Sequence, residues 1–159
     1  MAAAKLSPRG WLVAIALLCL AAVGIALVSQ QVFDMQPCPW CILQRLIFLV
    51  IAALALLAAF VPVRLLWTGL ALLLALAGIA TALYQHFVAA KSQSCNLTLA
   101  DRIVSGLSLD HLLPPVFQVT ASCADAAVSV LGVPYEFWSL ALYVVLAAIA
   151  LKVLRSPQR

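Results

Sequence analysis

Charge is what this chain has least of. Lys, Arg, Asp and Glu together make up 9% of its 159 residues, and 67% of the residues are hydrophobic, whereas soluble domains carry roughly a quarter charged residues. Such a chain cannot clothe itself in a water-facing surface, which excludes a soluble globular protein and points to the membrane. The basic residues are dispersed at the ends of apolar stretches and form no patch, so nothing supports nucleic-acid binding despite the net charge of +4. No haem, flavin or nucleotide motif, internal repeat or low-complexity tract is present. A signal-peptide cleavage site is missing too. The first apolar run is followed by Ser29-Gln30-Gln31-Val32-Phe33, with no small-x-small pattern, and at about 18 residues it exceeds the usual h-region of about 7 to 15. It is expected to be a retained helix.

What is there is apolar length. Four stretches, about 11–29, 42–61, 66–87 and 136–154, approach the roughly 20 residues that a spanning helix needs. The expected fold is all-α: one membrane domain over 1–159, a bundle of four transmembrane helices with connecting loops of about 30–41 and 88–135 on one side. Lys5 and Arg9 precede the first stretch, Arg64 separates the second from the third, and Lys152, Arg155 and Arg159 follow the fourth. Four spans put these regions on one side, and the positive-inside rule makes that side the cytoplasm, termini included. The 88–135 connection is too long to be a simple link. Its apolar residues from Leu99 to Leu107 and from Leu112 to Phe117 are expected to pack on the helix tops or lie on the bilayer.

Four of the five cysteines then fall at or beyond the outer face, where disulfides persist. Cys38-Pro39-Trp40-Cys41 closes too short a ring to stabilise a fold much. At the start of a helix, with Pro39 in the first turn, it favours a thiolate and so redox or metal chemistry. A Cys95–Cys123 disulfide would close a loop of about 29 residues, worth roughly 3 to 4 kcal/mol as a staple. Beside a CxxC on the same face it can also pass electrons by thiol exchange. A tetrahedral metal site from the four sulfurs is arithmetically possible but disfavoured on an oxidising face, and no metal is expected. Cys19, deep in the first stretch, is read as inert packing.

Arg45 lies four residues after Cys41, on the same helix face and one turn deeper. It either snorkels to the headgroups or holds a positive charge beside a thiolate and an electron-rich oxygen of a bound acceptor. His86, near the outer end of the third stretch, falls at a similar depth and is either an interfacial anchor or part of that site. Gln44 can bond a ligand or another helix. His111 and the Asn96-Leu97-Thr98 acceptor pattern are assigned nothing.

Gln36-Pro37-Cys38-Pro39-Trp40-Cys41-Ile42-Leu43-Gln44-Arg45, followed by Tyr84-Gln85-His86, Cys95, Pro115-Val116-Phe117 and Ser122-Cys123, closely resembles the DsbB family. These are bacterial inner-membrane thiol oxidases of disulfide bond formation. The resemblance covers nearly the whole chain. It implies an enzyme that reoxidises a DsbA-type periplasmic dithiol protein and passes the electrons to a membrane quinone, ubiquinone or menaquinone. It further implies that Cys95 forms the mixed disulfide with the partner. Cys123 and Cys38 would then link transiently, Cys41 would face the quinone, and Arg45 and His86, with Gln44 beside them, would form the quinone site. DsbA is itself a strong oxidant, at about −120 mV, so its reoxidation requires a strongly oxidising terminal acceptor. The competing reading is a membrane protein without enzymatic activity whose cysteines are two local staples.

Overall fold

The computed structural model describes residues 7–91 and 98–156. Among the described residues four helices are long and apolar enough to cross a membrane: α1 (Pro8–Val32), α2 (Pro39–Phe60), α3 (Arg64–Phe87) and, last in order, α7 (Tyr135–Leu154). Each begins before the corresponding apolar stretch, and α1 also ends beyond it. Ser7 caps α1, its Oγ accepting the Gly10 N–H at 3.2 Å, and Pro8 occupies the first turn, where a missing N–H costs nothing. At the other end the backbone ladder carries Gln30 and Gln31 along, because main-chain hydrogen bonds do not depend on side-chain polarity. The start of α2 lies at the CPWC motif. Cys38 is the N-cap and Pro39 the first helical residue, so Trp40 and Cys41 belong to the helix rather than to the 30–41 loop.

Packing runs α1 on α2, α2 on α3 and α3 on α7. This makes α2 the central helix: 56% of its most apolar stretch is buried, against 28%, 28% and 22% for α1, α3 and α7. The other three leave wide apolar faces, including Leu17, Ile25, Leu65 and Leu73, that a bilayer would cover. Cys19 sits fully buried in the core with Leu12, Ile15 and Ile51. At the end of the bundle away from the CPWC motif, Arg9 and Arg64 line one small cavity, and Lys152 lies 4.1 Å from the centre of the Trp11 ring.

The long connection is structured. A single turn of 3-10 helix (Ala89–Lys91) ends the first described part, and α4 (Leu99–Gly106), α5 (Leu109–Leu112) and α6 (Pro114–Phe117) follow. A capping box between Thr98 and Asp101 starts α4. Val104 of α4 and Phe117 of α6 then pack with Ile42 of α2, which seats the connection on top of the central helix. A hairpin of β1 (Ser129–Val130) and β2 (Val133–Pro134) turns through Leu131 and Gly132, both at positive φ, and leads directly into α7.

One contact sets how closely α3 and α7 approach. The Tyr143 ring stacks on Phe48 with centroids 4.2 Å apart, and its hydroxyl donates to the Gln44 carbonyl at 3.0 Å. Gly78 of α3 faces that ring, and a Cβ added there would overlap it. Gly78→Leu should therefore cost about 1 to 3 kcal/mol through overpacking, seen as a lower thermal midpoint in detergent. Parental stability would mean that Tyr143 moves aside freely.

Candidate active site

The site is built from the α2 N-terminus outward. Cys38, at the N-cap, is 0% exposed, and its Sγ accepts the Cys41 N–H at 3.3 Å while lying 2.6 Å from Cys41 Sγ. Around it the connection is pinned: the N–H groups of Thr120 and Ala121 both donate to the Pro37 carbonyl, at 3.1 and 3.3 Å. A turn then presents Cys123. Ser122 Oγ donates to Asp125 and accepts its N–H, and the Ala126 N–H returns to the Ser122 carbonyl. Cys123 thereby reaches Cys38 and is hydrogen-bonded by its thiol and by the Trp40 backbone N–H. These bonds, the one from Cys38 foremost, hold the Cys123 thiol below its ordinary range despite partial burial. Cys38 is pushed the opposite way, well above that range, because it donates to Cys123 and to Cys41 and is buried as well. Cys95 lies outside the described residues.

Beyond Cys41 a cavity of about 1150 Å³ opens between α1 and α7. Its back wall is Cys41, Gln44, Arg45 and Phe48 of α2 with Gln85 of α3; Leu18, Ala22, Ile25 and Ala26 of α1 face Tyr135, Glu136, Ser139 and Leu142 of α7. Cys41 is the one described cysteine on this wall. The polar groups gather at its end: Gln44 Nε2 donates to Gln85 Oε1 at 2.7 Å, and Gln85 Nε2 lies 3.4 Å from Cys41 Sγ. Arg45 is 6% exposed and does not snorkel. Its Nη1 donates to Gln30 Oε1 at 2.9 Å and to the Val116 carbonyl at 3.0 Å.

Cys41, Gln44 and Arg45 thus share one wall, but His86 does not line the cavity. Successive helical residues point about 100° apart, since a turn takes 3.6 residues. When Gln85 faces α2, His86 is turned toward α7, where Nδ1 meets Glu136 Oε1 at 2.6 Å and the ring lies beside Phe137.

A family model for disulfide bond formation protein DsbB matches residues 8–153. The chain belongs to the DsbB family. It is 40% identical over 145 residues to disulfide bond formation protein B 1 of Pseudomonas syringae pv. syringae, covering 89% of this chain and 86% of that protein. It is 38% identical over 141 residues to disulfide bond formation protein B of Ralstonia nicotianae (87% and 89%). With the protein of the same name from Cupriavidus necator the figure is 35% over 150 residues (92% and 93%). Membership, with four apolar helices, makes the chain a multi-pass protein of the bacterial inner membrane and a disulfide oxidoreductase. The family reoxidises DsbA and passes the electrons to quinone.

Three polar residues at the site escaped the sequence reading. Gln30 and Gln85 had only their polarity near the end of an apolar helix as a signal. Glu136 had a better one, because it is the only acidic residue in any of the four long helices, where an ionisable group marks function by default.

In the reduced protein, the pH at which Cys123 becomes reactive should lie below that of an ordinary thiol, about 8.5. Cys38→Ala should move it upward, since the donor that favours the thiolate is gone. Alkylation rates against pH, read on the Cys123 peptide by mass spectrometry, check this; an unmoved midpoint would remove Cys38 as the cause.

Proposed function

We propose that a reduced DsbA-type protein is oxidised at the Cys95–Cys123 pair, that its electrons pass to the Cys38–Cys41 pair, and that Cys41 delivers them to a quinone in the cavity. The observation that carries this reading is the order of the sulfurs. Cys123 is partly exposed and bonded to Cys38; Cys38 is sealed off and adjoins Cys41; Cys41 opens onto the cavity. Each exchange breaks one S–S bond and forms another by attack of a thiolate, so an electron pair moves inward while the partner's two thiols become its disulfide. Cys95, with no described position, is assigned the partner-facing role by resemblance. On that reading both termini are cytoplasmic and the connections carrying the cysteine pairs are periplasmic. Support comes from Arg9, Arg64 and Lys152, which gather at the end of the bundle away from the cysteines.

The cavity suits a quinone, whether ubiquinone or menaquinone. Its walls are mostly apolar and of a size for a ring with part of a prenyl tail, and its few polar groups converge beside Cys41. When bound, quinone supplies a two-electron, two-proton acceptor. The chain supplies the rest. Arg45 places a fixed positive charge one turn below Cys41, favouring negative charge on the sulfur and on an acceptor oxygen. Gln44 orients Gln85, whose amide reaches the Cys41 sulfur. The helix N-terminus at Cys38–Cys41 adds its dipole to the same end.

Mixing the purified protein anaerobically with reduced DsbA-type partner and a soluble quinone, and following quinone absorbance, tests this reading. Cys41→Ser should abolish quinone reduction with the fold intact, and full activity there would sink the relay. Arg45→Ala should raise the apparent KM for quinone about ten- to a hundredfold, the worth of a hydrogen bond to a charged group, while exchange with the partner continues. Arg45→Lys should fall between, because it keeps the charge and loses the planar fork.

A further inference from the structure

Two protons must reach the acceptor, and the sulfur relay does not bring them. Disulfide exchange proceeds by thiolate attack, so electron pairs move inward without requiring that the protons of the partner's two thiols travel with them. A separate proton path is needed. On the cavity wall Arg45 holds its proton at any working pH, the amides of Gln44 and Gln85 do not titrate, and the Tyr135 phenol is a far weaker acid than a carboxyl. Three carboxyls line the cavity. Asp34 and Asp125 are exposed, at its rim, and only Glu136 is buried.

Glu136 is also connected outward. Its side chain is 6% exposed and meets His86 Nδ1 at 2.6 Å, while the His86 side chain is 30% exposed. No lysine or arginine among the described residues pairs with Glu136. One edge of this pair therefore touches the cavity and the other approaches the surface, and a carboxyl and an imidazole are both groups that can take up and release a proton. A pair serving only to join α3 to α7 would need neither property, since burying such groups is no stabler than packing apolar ones.

We infer that Glu136 and His86 form the proton relay of this site: the Glu136 carboxyl gives a proton into the cavity, and His86 restores it from the surface. Two passages accompany each pair of electrons delivered by Cys41, so the partner's two thiols are oxidised, the quinone becomes hydroquinone, and two protons enter for the two released. The inference rests on the quinone reading above.

Infrared difference spectroscopy tests it, recorded on the full chain in detergent with a short-chain ubiquinone as reduced DsbA-type partner is added, alongside quinone absorbance and partner oxidation. The parent should show a carboxyl C=O band that changes with quinone reduction, shifts in D₂O and is missing in Glu136→Gln. Quinone reduction in Glu136→Gln should slow about a hundredfold, the usual worth of a positioned proton donor, while its loop disulfide still oxidises one equivalent of partner. Glu136→Asp should keep a shifted band and recover part of the rate, which separates proton transfer from folding. His86→Ala should keep the band but slow its recovery between turnovers. If Glu136→Gln reduces quinone at the parental rate, or if its band pattern equals the parent's, the pair is a staple and the relay is overturned while the quinone reading stands. If the parent oxidises the partner and never reduces quinone, both fall.

Discussion

A guanidinium inside an apolar bundle must find its hydrogen bonds within the protein, and the rest of the site hangs on how Arg45 does so. One nitrogen of its fork bonds Gln30 near the end of α1 and the Val116 carbonyl in α6. A single cation on the central helix thus fastens both the first helix and the long connection. Leaving it unpaired in hydrocarbon would cost several kcal/mol, so these partners are held in place by electrostatics rather than by shape. The seating of α6 and of Val104 on Ile42 follows, and with it the docking of Thr120 and Ala121 on Pro37 that brings Cys123 to Cys38.

In the proposed relay Cys38 is the pivot because it is hidden. With no exposure to solvent, it is out of reach of small thiols in the surrounding medium, and among the described residues the sulfurs that adjoin it are those of Cys123 and Cys41. Burial imposes an order on exchange that reactivity alone would not. The raised Cys38 and lowered Cys123 are two ends of one hydrogen bond, which leaves negative charge on the sulfur nearer the surface when the two are reduced.

Composition made the four spans legible, since only apolar length can cross hydrocarbon and the chain has four such lengths. Some ends were blurred because caps and last turns are backbone features: Ser7 and Pro8 extend α1 beyond its apolar stretch, whereas Pro39 after Cys38 marked the first turn of α2. Spacing along one helix also read well, placing Arg45 below Cys41. Arrangements between helices did not. Whether Gln85 or His86 faces Cys41 is a matter of 100° of rotation about α3, fixed by close packing such as that of Gly78 against Tyr143, which no periodicity in so uniformly apolar a helix reveals. The partners of Arg45 lie 15 and 71 residues away and were equally out of reach, whereas Glu136, though passed over in the sequence reading, carried a signal as a lone acid among apolar residues.

The cavity between α1 and α7 is walled partly by residues that also face outward, among them Leu18, Ile25 and Trp138. A molecule entering between these residues comes sideways from the lipid. Its supply is then a two-dimensional one, set by the mole fraction of acceptor in the bilayer and by lateral diffusion, and its tail need never leave hydrocarbon. Saturation is properly expressed per lipid, not per litre. The respiratory state of the membrane, which sets the oxidised fraction of that pool, would act directly on the rate at which disulfides are made outside it.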